Sequence, residues 1–338
     1  MNILVTGGAG FVGLNIVERL LKAGMSVVSY GSEAPPPQVM DYLGALGGRF
    51  EAVQGDVRDG ARLRAVFAQH GITDVVHGAA ITAGLERERA QPHAVIEVNL
   101  LGTLEVLAAA ASCGIRRVVQ LGTGSVYGAR CRTDGLLDPD QDPPVPDSLY
   151  GVTKYAAERL ACRYRAQHGL DVVVARLGVV FGRWEHDTGV RDTLSIPYQI
   201  LGQARAGGTA ALARQLPDDW VYAPDVAQAV HKLLLARELG RPVYQIGTGG
   251  RWSAQQWCEL VRARFPGFEY RFVDTPEQVN VGRQTPTPRA PFSIAALRDE
   301  VGYRPEYDAA AALDDYLAWL ALGLYATGRN PAQQGGRT

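Results

Sequence analysis

Short runs of β-branched and other apolar residues alternate, along the first half of the chain, with longer segments whose apolar residues recur at helical spacing. The short runs are nearly continuous, which is typical of strands buried on both faces of a parallel sheet. Strands that alternate with helices need crossover connections, and these put helices on both faces of the sheet. The pattern predicts an α/β fold with a doubly wound parallel sheet. Its predicted helices span 11–23, 60–69, 93–113 and 149–167.

This alternation stops after Gly178. Residues 182–219 are polar and rich in glycine and arginine, and they contain one clear helical stretch at about 195–206. The stretch "DDWVYAPDVAQAVHKLLLA" and the run after it predict one more helix and strand that return to the sheet. The predicted boundaries are 1–178 plus about 217–248 for the sheet domain, 179–216 plus 249–325 for a smaller C-terminal lobe, and 326–338 for a disordered tail.

Composition and charge exclude several classes of protein. The chain has 338 residues, 46% apolar and 20% charged, with a formal net charge of −1, so there is no electrostatic reason to expect nucleic acid or an anionic membrane. Its four cysteines are scattered, and no histidine lies near them at metal-ligand spacing, so we expect no metal site and no disulfide scaffold. The N-terminus enters a strand directly, and no apolar run of about 18 residues is expected to span a membrane. We expect a cytoplasmic protein.

The stretch "LVTGGAGFVGLNIVERLL" places three glycines between the first strand and the first helix. Gly7, Gly10 and Gly13 allow a tight turn and a close approach of the backbone to a pyrophosphate, which the helix N-terminus favours. A glycine turn alone is a weak signal and is often only structural. Its position in the first strand–turn–helix unit favours dinucleotide binding and a Rossmann-type sheet.

The end of the second strand, "SVVSYGSEAPPP", bears on which dinucleotide is bound. Gly31 stands where an acid would contact the ribose of NAD, and Glu33 either substitutes for that acid or is a solvated loop charge. No lysine or arginine lies between Lys22 and Arg49 to neutralise the 2′-phosphate of NADP. NAD is therefore favoured over NADP.

The stretch "DSLYGVTKYAAERL" sets Tyr150 and Lys154 four residues apart, on one face of a helix. Free tyrosine has a pKa of about 10, and a nearby ammonium favours its phenolate, so the pair suits proton transfer from a hydroxyl. By itself such a pair is an ordinary feature of a helix surface. Thr123 and Ser125, in "LGTGSVYG", follow a strand at the ligand-binding edge of the sheet and make catalysis the favoured interpretation. His77, in an apolar run, is predicted to be a core histidine.

Seven stretches together resemble the extended short-chain dehydrogenase/reductase superfamily, which contains NAD-dependent epimerases, dehydratases and related oxidoreductases. They occur in the order of that family and cover about the first 230 residues. They read "TGGAGFVG", "GDVRD", "HGAA", "NLLGT", "TGSVYG", "YGVTK" and "WVYAPDVA".

The resemblance implies a role for each matching position. The residues implied to bind the cofactor are Gly7, Gly10, Phe11, Val12 and Gly13 at the pyrophosphate, Asp56 and Val57 at the adenine, Ala79 and Ala80 along the adenosine, and Asn99, Tyr150, Lys154 and Leu177. The residues implied to act in catalysis are Thr123 on the reacting oxygen, Tyr150 as acid/base, Lys154 on the nicotinamide ribose, and Asn99 near the catalytic helix. It also implies a homodimer, in which the helices at 93–113 and 149–167 pack together.

Two positions depart from the pattern of the sugar-nucleotide enzymes. In "RLGVVFGR" Val179 stands where those enzymes have asparagine, and in "DDWVY" Asp218 stands where they have an arginine that grips the diphosphate. We therefore interpret the chain as an NAD-dependent oxidoreductase or epimerase that acts on a sugar-like polyol or sugar acid. The alternatives are a sugar-nucleotide 4-epimerase or 4,6-dehydratase with tightly bound NAD, and a non-catalytic dinucleotide-sensing protein, which would not need Tyr150 and Lys154.

The polar stretch "GRWEHDTGVRDTLS" provides candidates for binding that carbohydrate-like substrate. Guanidinium groups pair well with carboxylates and phosphates, although the same stretch is equally consistent with a solvated loop. The candidate substrate residues are Thr82, Ser125, Arg183, Thr188, Arg191 and Thr193.

Overall fold

A central sheet of seven parallel strands forms the core of the computed structural model, which describes residues 1–132, 135–187, 189–213, 218–282 and 290–325. The strand order is β10-β6-β5-β4-β1-β2-β3, and every neighbouring pair is parallel. The predicted α/β fold with a doubly wound parallel sheet is confirmed. The strands of this sheet are β1 Asn2–Thr6, β2 Ser26–Gly31, β3 Phe50–Gln54, β4 Asp74–His77, β5 Arg117–Thr123, β6 Val172–Leu177 and β10 Val243–Ile246.

Helices cover both faces of the sheet and bury two separate apolar layers. One layer contains Leu14 and Val17 of α1 with Val230 of α9, and the other contains Val66 of α3 with Val106 of α6. The helices are α1 Phe11–Lys22, α2 Pro37–Gly44, α3 Gly60–Gln69, α4 Leu85–Ala90, α5 Pro92–Ile96, α6 Gly102–Ser112, α7 Leu149–His168, α8 Ile196–Arg205, α9 Ala223–Leu235, α10 Ala254–Arg264, α11 Ala295–Val301 and α12 Ala309–Leu320.

The predicted helix at 93–113 is continuous, but it contains a π-helical turn. Helix α5 runs through the turn Glu97–Leu101 into α6. Contrary to the expectation from sequence, the run Pro92–Ser112 is long and apolar enough, by length and composition, to cross a membrane. It instead packs on α3 and α7 and buries Val95, Asn99 and Val106 completely. The run is a core helix of the domain.

Within the described residues, two small parallel sheets lie outside the central sheet, and the strands of one of them contribute to an aromatic cluster. One sheet pairs β7 Val179–Phe181 with β9 Trp220–Tyr222, and the other pairs β8 Thr209–Ala213 with β11 Glu269–Val273. Phe181 lies at the centre of the cluster, 5.2 Å from the ring of Trp257 and 5.4 Å from that of Trp252. The proposed domain boundaries remain a prediction, and the predicted tail at 326–338 lies outside the described residues.

Candidate active site

A cavity of about 1200 Å³ lies along the carboxyl ends of the central strands. This is the edge where open α/β sheets bind their ligands. It is lined by all of the predicted cofactor residues except Asn99. Those lining residues are Gly7, Gly10, Phe11, Val12, Gly13, Asp56, Val57, Ala79, Ala80, Tyr150, Lys154 and Leu177.

The glycine turn at the start of α1 has the geometry of a phosphate-binding loop. Gly7 has a φ of +68°, and a Cβ there would lie 2.9 Å from the backbone nitrogen of Ala79. A Cβ at Gly13 would collide with the carbonyl oxygen of Gly7. Helix α1 begins at Phe11 after Gly10, and no side chain caps its N-terminus. The first amide groups of α1 can therefore face an anion in the cavity, as the pyrophosphate of a dinucleotide requires.

The residues that are predicted to contact the adenine of NAD lie in the same cavity as the glycine turn. Asp56 and Val57 line the cavity beside Arg58, whose Nε lies 3.0 Å from both carboxylate oxygens of Asp56. These hydrogen bonds lower the pKa of Asp56 below its usual value, against the effect of burial. Glu33 also lines the cavity and is exposed, and its contact with the ribose of NAD stays a prediction.

Thr123, Tyr150 and Lys154 lie on different elements and line the same cavity. Thr123 ends β5, and its Oγ1 accepts a hydrogen bond from the amide of Ser125 at 3.1 Å. Ser148 caps α7 through its side chain, so Tyr150 lies in the first turn and Lys154 one turn further on. This N-cap fixes where the helix begins, and with it the side on which both residues lie.

The ammonium group of Lys154 is held in a buried environment. Burial lowers the pKa of Lys154 to about 8, although Glu158 opposes this shift. Glu158 itself pairs in bidentate fashion with Arg176, at 2.8 Å and 2.6 Å. His77 is buried between the hydroxyls of Thr6 and Thr103, at 2.8 Å and 3.0 Å, so its predicted core role is confirmed. Burial, with Lys154 nearby, lowers the pKa of His77 to about 3.

Asn99 does not line the cavity, but it lies beside the catalytic helix, as the resemblance implied, and its contact with the cofactor stays a prediction. Its side chain is fully buried in the π-helical turn. The amide group accepts from the backbone nitrogen of Ile81 at 2.8 Å and donates to the Ile81 carbonyl at 3.0 Å. It also donates to Thr153 Oγ1 at 3.2 Å, on α7 between Tyr150 and Lys154. Asn99 therefore joins the loop after β4 to the helix that carries both residues.

Four of the six candidate substrate residues line the cavity: Thr82, Ser125, Arg191 and Thr193. Arg183 was predicted wrongly, because it lies outside the cavity lining and pairs with Asp315 and Glu18. Thr188 lies outside the described residues. Arg191 donates to Glu185 at 2.9 Å and lies 4.8 Å from the centre of the Phe11 ring. Its charge is thus already compensated by a buried carboxylate.

The family model of the NAD dependent epimerase/dehydratase family matches residues 3–247. The chain belongs to this family. A dTDP-glucose 4,6-dehydratase from Streptomyces antibioticus is 31% identical, over 94% of this chain and 92% of the relative. The predicted superfamily, the enzyme class and NAD as cofactor are confirmed by this membership.

Two solved structures resemble this family member over almost the whole chain. The UDP-glucose 4-epimerase of Thermotoga maritima with UDP-glucose has a TM-score of 0.80, covering 96% of this chain and all of that one, and at 21% identity it shows the fold alone. The UDP-glucose 4-epimerase of Thermus thermophilus, in complex with NAD, has a TM-score of 0.73 at 28% identity and covers 94% of this chain and 99% of that one.

The two residues of this family member that depart from the sugar-nucleotide pattern are Val179 and Asp218, and only one of them lines the cavity. Val179 lines it, whereas Asp218 is buried outside the lining and accepts a hydrogen bond from Trp220 Nε1 at 3.2 Å. Because Asp218 is not part of the cavity lining, its carboxylate is no argument against a diphosphate bound there. The sequence relatives favour the sugar-nucleotide alternative over the polyol or sugar-acid interpretation.

Sequence reasoning missed charged groups both in the cavity lining and directly beside it. Glu88 lines it, and its Oε1 accepts from the backbone nitrogen of Tyr150 at 3.3 Å. Arg87 and Asp192 form an ion pair at 2.7 Å next to the lining residues Gly84 and Arg191. Arg87 and Asp192 are 105 positions apart, and neither lies in a motif, so no local signal could have paired them.

Proposed function

We propose that this family member oxidises a secondary hydroxyl on the sugar of a sugar nucleotide and then reduces the ketone again, as a 4-epimerase does. The sequence relatives and the Thermus structure support a nucleotide-linked sugar, since their names refer to dTDP-glucose and UDP-glucose. Arg191 and Arg183 are both paired with carboxylates, so neither guanidinium is an argument for a free sugar acid over a sugar nucleotide.

The observation that carries this proposal is the convergence of Thr123, Tyr150 and Lys154 on one cavity with the glycine turn. When bound, NAD would supply the acceptor for the hydride of the carbinol carbon and the donor for its return. The Thr123 hydroxyl, at the end of β5, is suited to hold the substrate oxygen, and Tyr150 to take its proton. The buried ammonium of Lys154 favours the phenolate of Tyr150 and can donate to ribose hydroxyls.

Epimerisation is favoured over dehydration by the residues that follow Thr123. A 4,6-dehydratase must also remove a proton from C5 and protonate the hydroxyl that leaves C6, which calls for acid and base groups in addition to the tyrosine. After Thr123 come Gly124 and Ser125, and Cys131 lines the same wall. None of these three is a carboxylic acid, and the carboxylates of the lining, which include Glu88, Asp147 and Asp187, come from other segments of the chain. Inverting a carbinol requires only Tyr150 as acid and base, and rotation of the keto sugar within the cavity.

The direct test is proton NMR of purified protein with UDP-glucose and with dTDP-glucose in deuterated water, with no cofactor added. A 4-epimerase forms the 4-epimer without deuterium at C4 or C5, because the hydride returns to C4 and C5 is never deprotonated. A 4-keto-6-deoxy product carrying deuterium at C5 would show a dehydratase instead. No product from either sugar nucleotide, with oxidation of a free polyol or sugar acid, would refute the proposal and restore the other interpretation.

A further inference from the structure

Two loops from different parts of the chain are joined by hydrogen bonds beside the cavity. One comprises residues 81–88, which follow β4 and include the first turn of α4. The other is the segment 189–195. The amide of Thr82 donates to the Val190 carbonyl at 2.9 Å, and the amide of Asp192 donates to the Thr82 carbonyl at 3.2 Å. These two bonds pair the loops as a short parallel bridge.

An ion pair reinforces this bridge. Arg87 Nε lies 2.9 Å from both carboxylate oxygens of Asp192, and Nη2 lies 2.7 Å from one of them. Asp192 also accepts from the amide of Gly84 at 2.8 Å, and Arg87 Nη2 donates to the Gly189 carbonyl at 2.7 Å. The side chains of Arg87 and Asp192 are only 23% and 18% exposed. A bidentate, partly buried pair of this kind is stronger than an exposed one.

The joined loops reach from the glycine turn to the catalytic helix. At one end the guanidinium of Arg191 lies over the ring of Phe11, 4.8 Å from its centre. At the other end Glu88 Oε1 accepts from the backbone nitrogen of Tyr150 at 3.3 Å. Between these contacts Thr82, Gly84, Val190 and Arg191 all line the cavity. The joined loops therefore run from the predicted pyrophosphate site to the helix predicted to lie at the nicotinamide.

We infer that these loops, residues 81–88 and 189–195, form a clasp that retains NAD in the cavity. The Arg87–Asp192 ion pair holds the clasp closed. The inference rests on the proposed function, because an epimerase uses the same NAD for oxidation and for the reduction that follows. Neither loop contributes a strand to the central sheet. Parting them breaks a few hydrogen bonds and no core packing, so opening costs far less than unfolding the domain.

The test is the rate at which NAD leaves the protein. Wild type and Asp192→Asn are loaded with radiolabelled NAD, mixed with excess unlabelled NAD and sampled by rapid filtration. We expect release from Asp192→Asn to be about tenfold faster, the effect of losing roughly one charge-assisted hydrogen bond. The matched control is Asp314→Asn, because Asp314 has the same bidentate contact with an arginine, Arg264, on the surface away from the cavity. It should release NAD at the wild-type rate.

Arg87→Gln removes the same ion pair from its other side and serves as the second variant if Asp192→Asn does not fold. It should accelerate release to a similar degree. Wild-type release from a folded variant of the Arg87–Asp192 pair, or equal acceleration by Asp314→Asn, would overturn the inference. Release needs no sugar substrate, so failure of the clasp and failure of the proposed reaction give separate results.

Discussion

At the scale of single residues, the site depends on keeping one ammonium charged while it is buried. Lys154 is 3% exposed, and burial lowers its pKa to about 8. Below that pH the protonated side chain can favour the phenolate of Tyr150 and donate to a ribose. Above it, the charge and one donor hydrogen are lost.

We therefore expect kcat/KM to fall as the pH rises through about 8, the pKa of Lys154. In Lys154→Arg the guanidinium stays charged over this range, so the variant should be slower but should lose this decline. The pH profiles of kcat/KM for both proteins measure the effect. An unchanged decline in Lys154→Arg would assign it to another group.

At the scale of helices and strands, the elements are joined by contacts between residues that lie far apart in the sequence. Such contacts could not be predicted from local sequence patterns. The strands, the glycine turn and the spacing of Tyr150 and Lys154 are local patterns, and all could be predicted. Arg183 was misassigned to substrate binding because its partner Asp315 lies 132 positions away. The contacts of Asn99 with Ile81 and Thr153 could not be predicted for a similar reason, since they are set by tertiary packing.

One buried carboxylate links the cofactor helix to the C-terminal lobe. Glu18 of α1 is 4% exposed and accepts from Trp184 Nε1 at 2.6 Å and from Tyr42 Oη at 3.0 Å. Trp184 has a φ of +66°, an unusual conformation for a side chain of this size. The hydrogen bond to Glu18 helps to hold that conformation, and with it the start of the segment that leads to the clasp.

Glu18→Ala should lower the free energy of unfolding by about 3 kcal/mol, because it leaves buried donors without an acceptor. Glu259→Ala, which removes the exposed ion pair with Arg262, should cost less than about 1 kcal/mol. Urea unfolding of both variants tests this expectation. Equal losses would show that Glu18 has no special part in joining the two elements.

At the scale of the whole molecule, the prediction of a homodimer rests on the outer faces of two neighbouring helical segments. Ile96 and Leu101 on the helix at 92–112 and Val152 on α7 are exposed apolar side chains, at 37%, 47% and 48%. Adjacent exposed apolar residues are typical of an interface. Packing of the same surface from a second copy would cover them.

We expect light scattering to give the mass of a dimer for the wild type and of a monomer for Leu101→Glu combined with Val152→Glu. Leu235→Glu is the control, because Leu235 is 54% exposed at the end of α9, on a different surface. It should remain dimeric. A monomeric wild type would refute the prediction, and a dimeric double variant would place the interface elsewhere.

Catalysis requires Tyr150 to transfer the proton of a sugar hydroxyl beside a dinucleotide bound at the glycine turn. The most direct measurement compares Tyr150→Phe with wild type for turnover of the sugar nucleotide and for NAD bound per chain. General acid–base catalysis contributes about 10²–10⁴ in rate, so kcat should fall by at least about 100-fold while NAD content stays unchanged. A Tyr150→Phe variant that retains both NAD and near-wild-type kcat would show that Tyr150 is not the acid/base.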